Sequence, residues 1–98
     1  MNREELSLLL FLETCAVDQG GQVDSRRMNG TDFDIATRWA KECFIEFGRI
    51  RAKDCTESRT HWVKLTEPAW QTAHVERRDR AERMLRQRTY RRTNEITA

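Results

Sequence analysis

Gly48-Arg49-Ile50-Arg51-Ala52-Lys53, then Asp54-Cys55-Thr56-Glu57-Ser58-Arg59-Thr60, then His61-Trp62-Val63-Lys64-Leu65-Thr66-Glu67-Pro68: in this stretch the hydrophobic period changes twice. Upstream of Gly48, apolar residues recur every three or four positions, as on one face of a helix; after it they alternate with period two, as along a strand. Arg49, Arg51 and Lys53 alternate with Ile50 and Ala52, and in His61–Leu65 the apolar side is Val63 and Leu65. The polar residues between them read as a turn, so the two runs are expected to pair as a two-stranded hairpin, with Gly48 ending the helix before it. Thr66-Glu67-Pro68 then opens a final helix with a capping hydroxyl and a proline in the first turn, where its missing N–H costs nothing.

Working back from Gly48, the preceding helix spans 31–47, with Thr31 as cap and Asp34 three residues on. Its core face is Ala36, Trp39, Ala40, Cys43 and Phe47, with Phe33 and Phe44 at the margins; Asp34, Thr37, Arg38, Lys41 and Ile45 lie opposite. Asn29-Gly30 is a turn. Before it, Asp24 or Ser25 caps a short helix through Met28, and Val23 serves as a one-residue strand or anchor. Asn2 and Glu5 form a capping box for a first helix over 3–18, which Gly20-Gly21 ends. That helix is apolar at Leu6, Leu8, Leu9, Leu10, Leu12, Cys15, Ala16 and Val17, wider than one core-facing stripe. It must pack on a second element, either the last helix or another copy of the chain. The last helix is apolar at Trp70, Ala73, His74, Ala81, Met84 and Leu85, interrupted by Arg77.

These elements imply a mainly α fold with a small β-hairpin and a single domain over 1–88, followed by a polar tail over 89–98 that frays. The size agrees, since 98 residues that are 38% apolar and 35% charged support one small soluble core. The longest apolar run, Leu8–Leu12, falls far short of the ~18–20 residues that cross a bilayer, and no leader pattern precedes it. A cytoplasmic protein without membrane contact is expected. Cys15, Cys43 and Cys55 are odd in number and include no CxxC pair, so they read as free thiols rather than a disulfide framework or metal site.

Charge is unevenly placed. The net +2 divides into −4 over residues 1–24 and +6 over the remainder, and 15 of the 18 basic residues are Arg, eight of them between Arg77 and Arg92. Arg is suited to bidentate phosphate and guanine contacts, although the alternating signs of Arg77–Arg83 also suit ion pairs along a helix. Catalysis is not expected: there is no P-loop, nucleophile elbow or HExxH, and His61 and His74 are isolated. No cofactor or metal is implied.

The order of elements resembles the winged helix-turn-helix family. Gly21-Gln22-Val23-Asp24-Ser25 looks like that family's first strand leading into its second helix. Val63-Lys64-Leu65-Thr66-Glu67 is similar to the strand-to-helix passage of MarR-type regulators. The resemblance covers about residues 3–86 and implies a small DNA-binding regulator of transcription or replication, of the compact kind found in phages and mobile elements. The reading helix would be 31–47, with Thr37, Arg38 and Lys41 facing the major groove and Arg38 on a guanine edge. Arg26 and Arg27 before it, and Arg51, Lys53, Arg59 and Lys64 around the hairpin, would contact phosphates. The resemblance and the surplus apolar surface together imply a homodimer through Leu8, Leu12, Trp70, Met84 and Leu85. A competing expectation is a winged-helix factor that binds another protein and no DNA, because Asp32 and Asp34 open the reading helix. Trp62 lies outward, where it either stacks against Arg51 and Lys64 or contacts a partner.

Overall fold

Asn2 starts the first helix, α1 (Arg3–Asp18), by the expected reciprocal cap: its Oδ1 accepts from the Glu5 N–H at 2.8 Å while Glu5 accepts from the Asn2 N–H. Gly20 and Gly21 end it with φ of 61° and 83°, and the Gly21 N–H donates to the Cys15 carbonyl at 2.9 Å. A Cβ on Gly21 would lie 3.0 Å from the Val63 carbonyl oxygen, so this glycine also allows the chain to pass close against a later strand. The computed structural model describes the backbone of residues 1–56 and 58–97 and the side chains of 1–56 and 58–88.

Three strands form an antiparallel sheet in the order β1-β3-β2, with β1 at Gln22–Asp24, β2 at Ile45–Arg49 and β3 at Arg59–Leu65. The expected hairpin is therefore present, and of the two roles expected for Val23 the strand is the one found: it lies in β1 and pairs with His61. The first arm of the hairpin lies earlier than alternation at 49–53 suggests. Ile45 pairs with Leu65, Phe47 with Val63 and Arg49 with His61, which turns Ile45, Phe47, Val63 and Leu65 to the core. The reason is buried apolar area. Ile45 is 1% exposed and Phe47 packs on the core, whereas Ile50 is half-buried and Ala52 lies on the surface. Gly48 is consequently a mid-strand residue and terminates nothing; its missing side chain is replaced by the Trp62 ring across the ladder, which a Cβ would meet at 2.9 Å.

The second helix, α2, spans Gly30–Lys41, six residues shorter at its C-terminal end than expected. Its cap is Asn29 rather than Thr31, and Asp32 completes a second capping box. It buries Ile35, Ala36 and Trp39. It stops because Cys43 takes a left-handed conformation (φ 60°), with the Phe44 N–H donating to the Trp39 carbonyl and the Cys43 N–H to the Ala40 carbonyl at 2.9 and 3.2 Å. Cys43, expected in the core, is exposed, while Ile45, expected on the outer face, is buried in the sheet. The short helix before α2 is a single 3-10 turn, Ser25–Arg27, capped by Asp24.

The last helix, α3, runs Glu67–Thr97, about 46 Å at 1.5 Å per residue. The Thr66 hydroxyl donates to the Phe44 carbonyl and accepts from the Ala69 N–H, joining the start of α3 to the end of α2. Ala69 and Ala73, both 0% exposed, allow α3 to pack closely on the core. The breadth of α1 is thus used within one chain: Leu8 (4% exposed) and Leu12 (0%), expected at a dimer surface, belong to the chain's own core. Trp70 is half-buried, and Met84 and Leu85 are exposed at 55% and 61%. Where α1 meets α3, Glu13 is buried. Its Oε1 accepts from the Arg77 Nε, and the same guanidinium donates to the Leu10 carbonyl at 3.1 Å and the Thr14 hydroxyl at 2.7 Å. Its Oε2 accepts no hydrogen bond, although His74 Nε2 stands 3.4 Å away. Among the described residues no helix is long and apolar enough to cross a membrane. The expectation that the tail 89–98 frays concerns residues whose side chains lie outside the described ones.

Candidate nucleic-acid interface

On α2, one residue per turn faces away from the core: Asp34, Thr37 and Lys41 form an exposed row opposite Ile35 and Trp39. The first turns of α2 lie against the hairpin. Phe33 reaches the rings of Phe47 and His61 at centroid distances of 6.3 and 5.2 Å, and Phe47 stacks on His61 at 5.4 Å and 9°. Arg49 pairs with His61 across the ladder, and from there the chain leaves the sheet into a loop carrying Arg51 and Lys53, both exposed. Thr37, Lys41, Arg51 and Lys53, all expected at a DNA surface, are thus exposed, the first two on α2 and the last two on the loop that follows β2.

Arg38 differs from that expectation. Its Nη2 donates to Glu5 Oε2 at 2.8 Å, and its Nε lies 3.9 Å from Glu42. The proposed base reader is therefore tied to the start of α1.

The remaining candidates are distributed elsewhere. Arg26 makes a two-pronged contact with the Asp24 carboxylate, at 3.3 and 3.2 Å, and that hydrogen bonding holds the Asp24 carboxyl down at about 2. Arg27 places its guanidinium 5.8 Å from the centre of the Phe11 ring on α1. Arg59 lies toward the β1 edge, donating to Gln19 at 2.7 Å and Gln22 at 3.5 Å. Lys64 projects from the opposite face of the sheet, 4.0 Å from Glu46. Trp62 shares that outer face and covers Gly48, so its position follows from packing across the ladder.

Arg49 and the Phe33–Phe47–His61 cluster were not among the expected site residues. Burial, and secondarily the nearby Arg49 charge, push the His61 imidazole toward its neutral form. The signal was accessible only through register: once Phe47 faces Val63, Arg49 and His61 must be opposite each other. Among the described residues, no three of His, Cys, Asp and Glu come together as a metal site. No protein family, curated protein or solved structure matches this chain.

Proposed function

We propose that the protein binds double-stranded DNA as a compact regulator, with the outer row of α2 in the major groove and the loop after β2 on flanking phosphates. One observation carries the reading: Arg49, Arg51 and Lys53 stand exposed against Asp54 alone over residues 49–56, adjoining the part of α2 that packs on His61. The order α1, β1, 3-10 turn, α2, hairpin, α3 supports the winged-helix resemblance. So does the antiparallel sheet order β1-β3-β2. The single turn at Ser25–Arg27 stands where the first helix of a helix-turn-helix would lie, and it shortens that half of the motif.

Arg38 can still read a base. Leaving a half-buried partner such as Glu5 costs about 1 kcal/mol, comparable to or less than the roughly 1–3 kcal/mol a bidentate guanine contact provides. Fluorescence-anisotropy titration of duplex DNA at several salt concentrations tests the proposal. Arg51→Ala with Lys53→Ala should weaken all sequences alike and lower the salt slope by about two, roughly one per phosphate contact. Arg38→Ala should relax sequence preference. Absence of affinity even at low salt would overturn the reading.

A second reading, a protein-binding factor, is favoured by a groove of about 460 Å³ on the far side, lined by Ala16, Gly20, Gly21, Trp62 and Trp70. Tight DNA binding that Trp62→Ala leaves unchanged would count against it.

A further inference from the structure

Between α1 and α3, Arg3, Leu6 and Ser7 of the first helix and Glu76, Arg80 and Arg83 of the last line an open cleft of about 570 Å³. The spacing produces it: Arg3 and Ser7 stand four apart on α1, and Glu76, Arg80 and Arg83 follow at steps of four and three on α3, so each helix turns one face to the cleft. Arg80 Nε donates to Glu76 Oε1 at 2.7 Å and its Nη2 to Ser7 Oγ at 3.3 Å, while Arg83 Nη2 donates to the same Glu76 oxygen at 3.3 Å. One carboxylate oxygen thus holds two guanidinium groups side by side.

Glu76 does not neutralise the cleft, because three guanidinium groups face one carboxylate and leave an excess of two positive charges. Among the described residues the exposed Arg3 guanidinium has no partner. The neighbouring acids are placed or engaged elsewhere: Glu4 and Asp79 do not line the cleft, Glu5 holds the Asn2 N–H and Arg38, and Glu82 lies beside Arg78 and Arg86. Of the five N–H donors on each guanidinium, most remain free. Pairing along one helix explains Arg80 and Glu76. It does not explain a third cation and a hydroxyl brought to the same place by another helix.

Free planar donors and a surplus of charge suit an oxyanion with several acceptor oxygens. A phosphodiester of a nucleic-acid backbone carries one negative charge, whereas a phosphomonoester approaches two near pH 7 and presents three terminal oxygens. The charge of the cleft therefore selects the monoester. We propose that the α1–α3 cleft binds the phosphate of a phosphomonoester, with Arg3, Arg80, Arg83 and the Ser7 hydroxyl donating to its oxygens. No residue of α2 or of the hairpin takes part, so the site stands apart from the proposed DNA face.

Isothermal titration calorimetry of the full chain at constant ionic strength tests it, with glycerol 2-phosphate as the monoester and dimethyl phosphate as the diester. The monoester should bind at least about tenfold more tightly than the diester and raise the melting temperature. Arg3→Ala and Arg80→Ala should each weaken it at least about tenfold, the loss of one charged hydrogen bond, with an unchanged circular dichroism spectrum. Arg3→Ala removes no side-chain contact within the chain and decides the matter alone if Arg80→Ala alters the fold. Arg78→Ala, outside the cleft, should leave the affinity as it is. Short duplexes then identify the source of the phosphate: competition by a 5′-phosphorylated duplex that Arg3→Ala abolishes points to a nucleic-acid end, and none points to a small ester. Absence of binding at millimolar glycerol 2-phosphate, equal binding of the two esters, equal competition by an unphosphorylated duplex, or an unchanged affinity in Arg3→Ala would overturn the proposal.

Discussion

Two Arg–Glu pairs join α1 to the rest of the molecule and differ mainly in water access. The two guanidinium groups are alike, Arg77 of α3 being 48% exposed and Arg38 of α2 51%, but the carboxylates are not: Glu13 has 4% of its side chain exposed and Glu5 17%. In the first, a carboxylate has exchanged hydration for a guanidinium that also satisfies the Leu10 carbonyl and Thr14. In the second, the carboxylate keeps part of its water and the guanidinium has no further partner on α1. Burial makes one pair a structural requirement and leaves the other free to exchange partners at little cost. Breaking the α1–α3 pair is therefore expected to cost more stability than breaking the α1–α2 pair.

The largest effect should come from breaking the buried pair. Arg77→Ala leaves the Glu13 carboxylate buried without its guanidinium, and loss of about 3–5 kcal/mol is expected in urea denaturation, a large share of the ~5–15 kcal/mol total of a small domain. Glu13→Leu combined with Arg77→Met should recover most of that loss, because two apolar groups of similar volume need no partner. Recovery by the double variant distinguishes an orphaned charge from lost packing. A loss below about 1 kcal/mol for Arg77→Ala would mean that the two pairs are alike.

What the sequence made legible follows the same division. The limits of α1 were readable because both ends carry strong local signals, the Asn2–Glu5 box and Gly20-Gly21. The start of α3 was readable from Thr66 and Pro68. The end of α2 was not: Cys43 takes the left-handed position usually given to glycine, and the nearest glycine, Gly48, lies five residues later in a strand. Phe44 and Phe47 fit a helical period as well as they fit the strand, so the helix was read too long and the hairpin too late. The error moved the candidate site as well. With the hairpin displaced, the apposition of Arg49, His61, Phe47 and Phe33 could not be seen, and no local pattern announces that Arg38 reaches Glu5 across 33 positions of sequence.

The face where α2 meets the hairpin should also respond to acid. His61 is pushed toward its neutral form by burial and then by Arg49, so its folded value lies below that of the unfolded chain. As pH falls the unfolded chain takes up this proton first. The His61 contribution is therefore complete above the unfolded value of about 6.5 and is lost as pH falls from there through the folded value. Denaturation midpoints of the wild type should drop over that window, by less than Arg77→Ala causes, and His61→Phe should flatten the drop while preserving the aromatic cluster. Equal slopes in the two proteins would remove His61 as the cause.

Arg38→Ala should be smaller still in stability, under about 1 kcal/mol and weaker in high salt, as expected for an exposed pair. A stability loss approaching that of Arg77→Ala would show that Glu5–Arg38 is structural, and would make its exchange for a base contact too costly.

The smallest effect should be a gain. Cys43 is exposed, its backbone is left-handed at φ 60°, and the two hydrogen bonds that close α2 require that conformation. An L residue pays about 1 kcal/mol or more to remain there and glycine does not, while glycine's freer unfolded chain returns about 0.4–1 kcal/mol of that advantage. The balance for Cys43→Gly is a stabilisation of about 0.5 kcal/mol, or roughly 2–4 °C in the melting temperature of a domain this size. Cys43→Ala serves as the control, because it removes the thiol and keeps the strain. If alanine stabilises as much as glycine, the thiol rather than the backbone limits this turn; if only glycine does, α2 ends at Lys41 because of a backbone conformation that its sequence does not advertise.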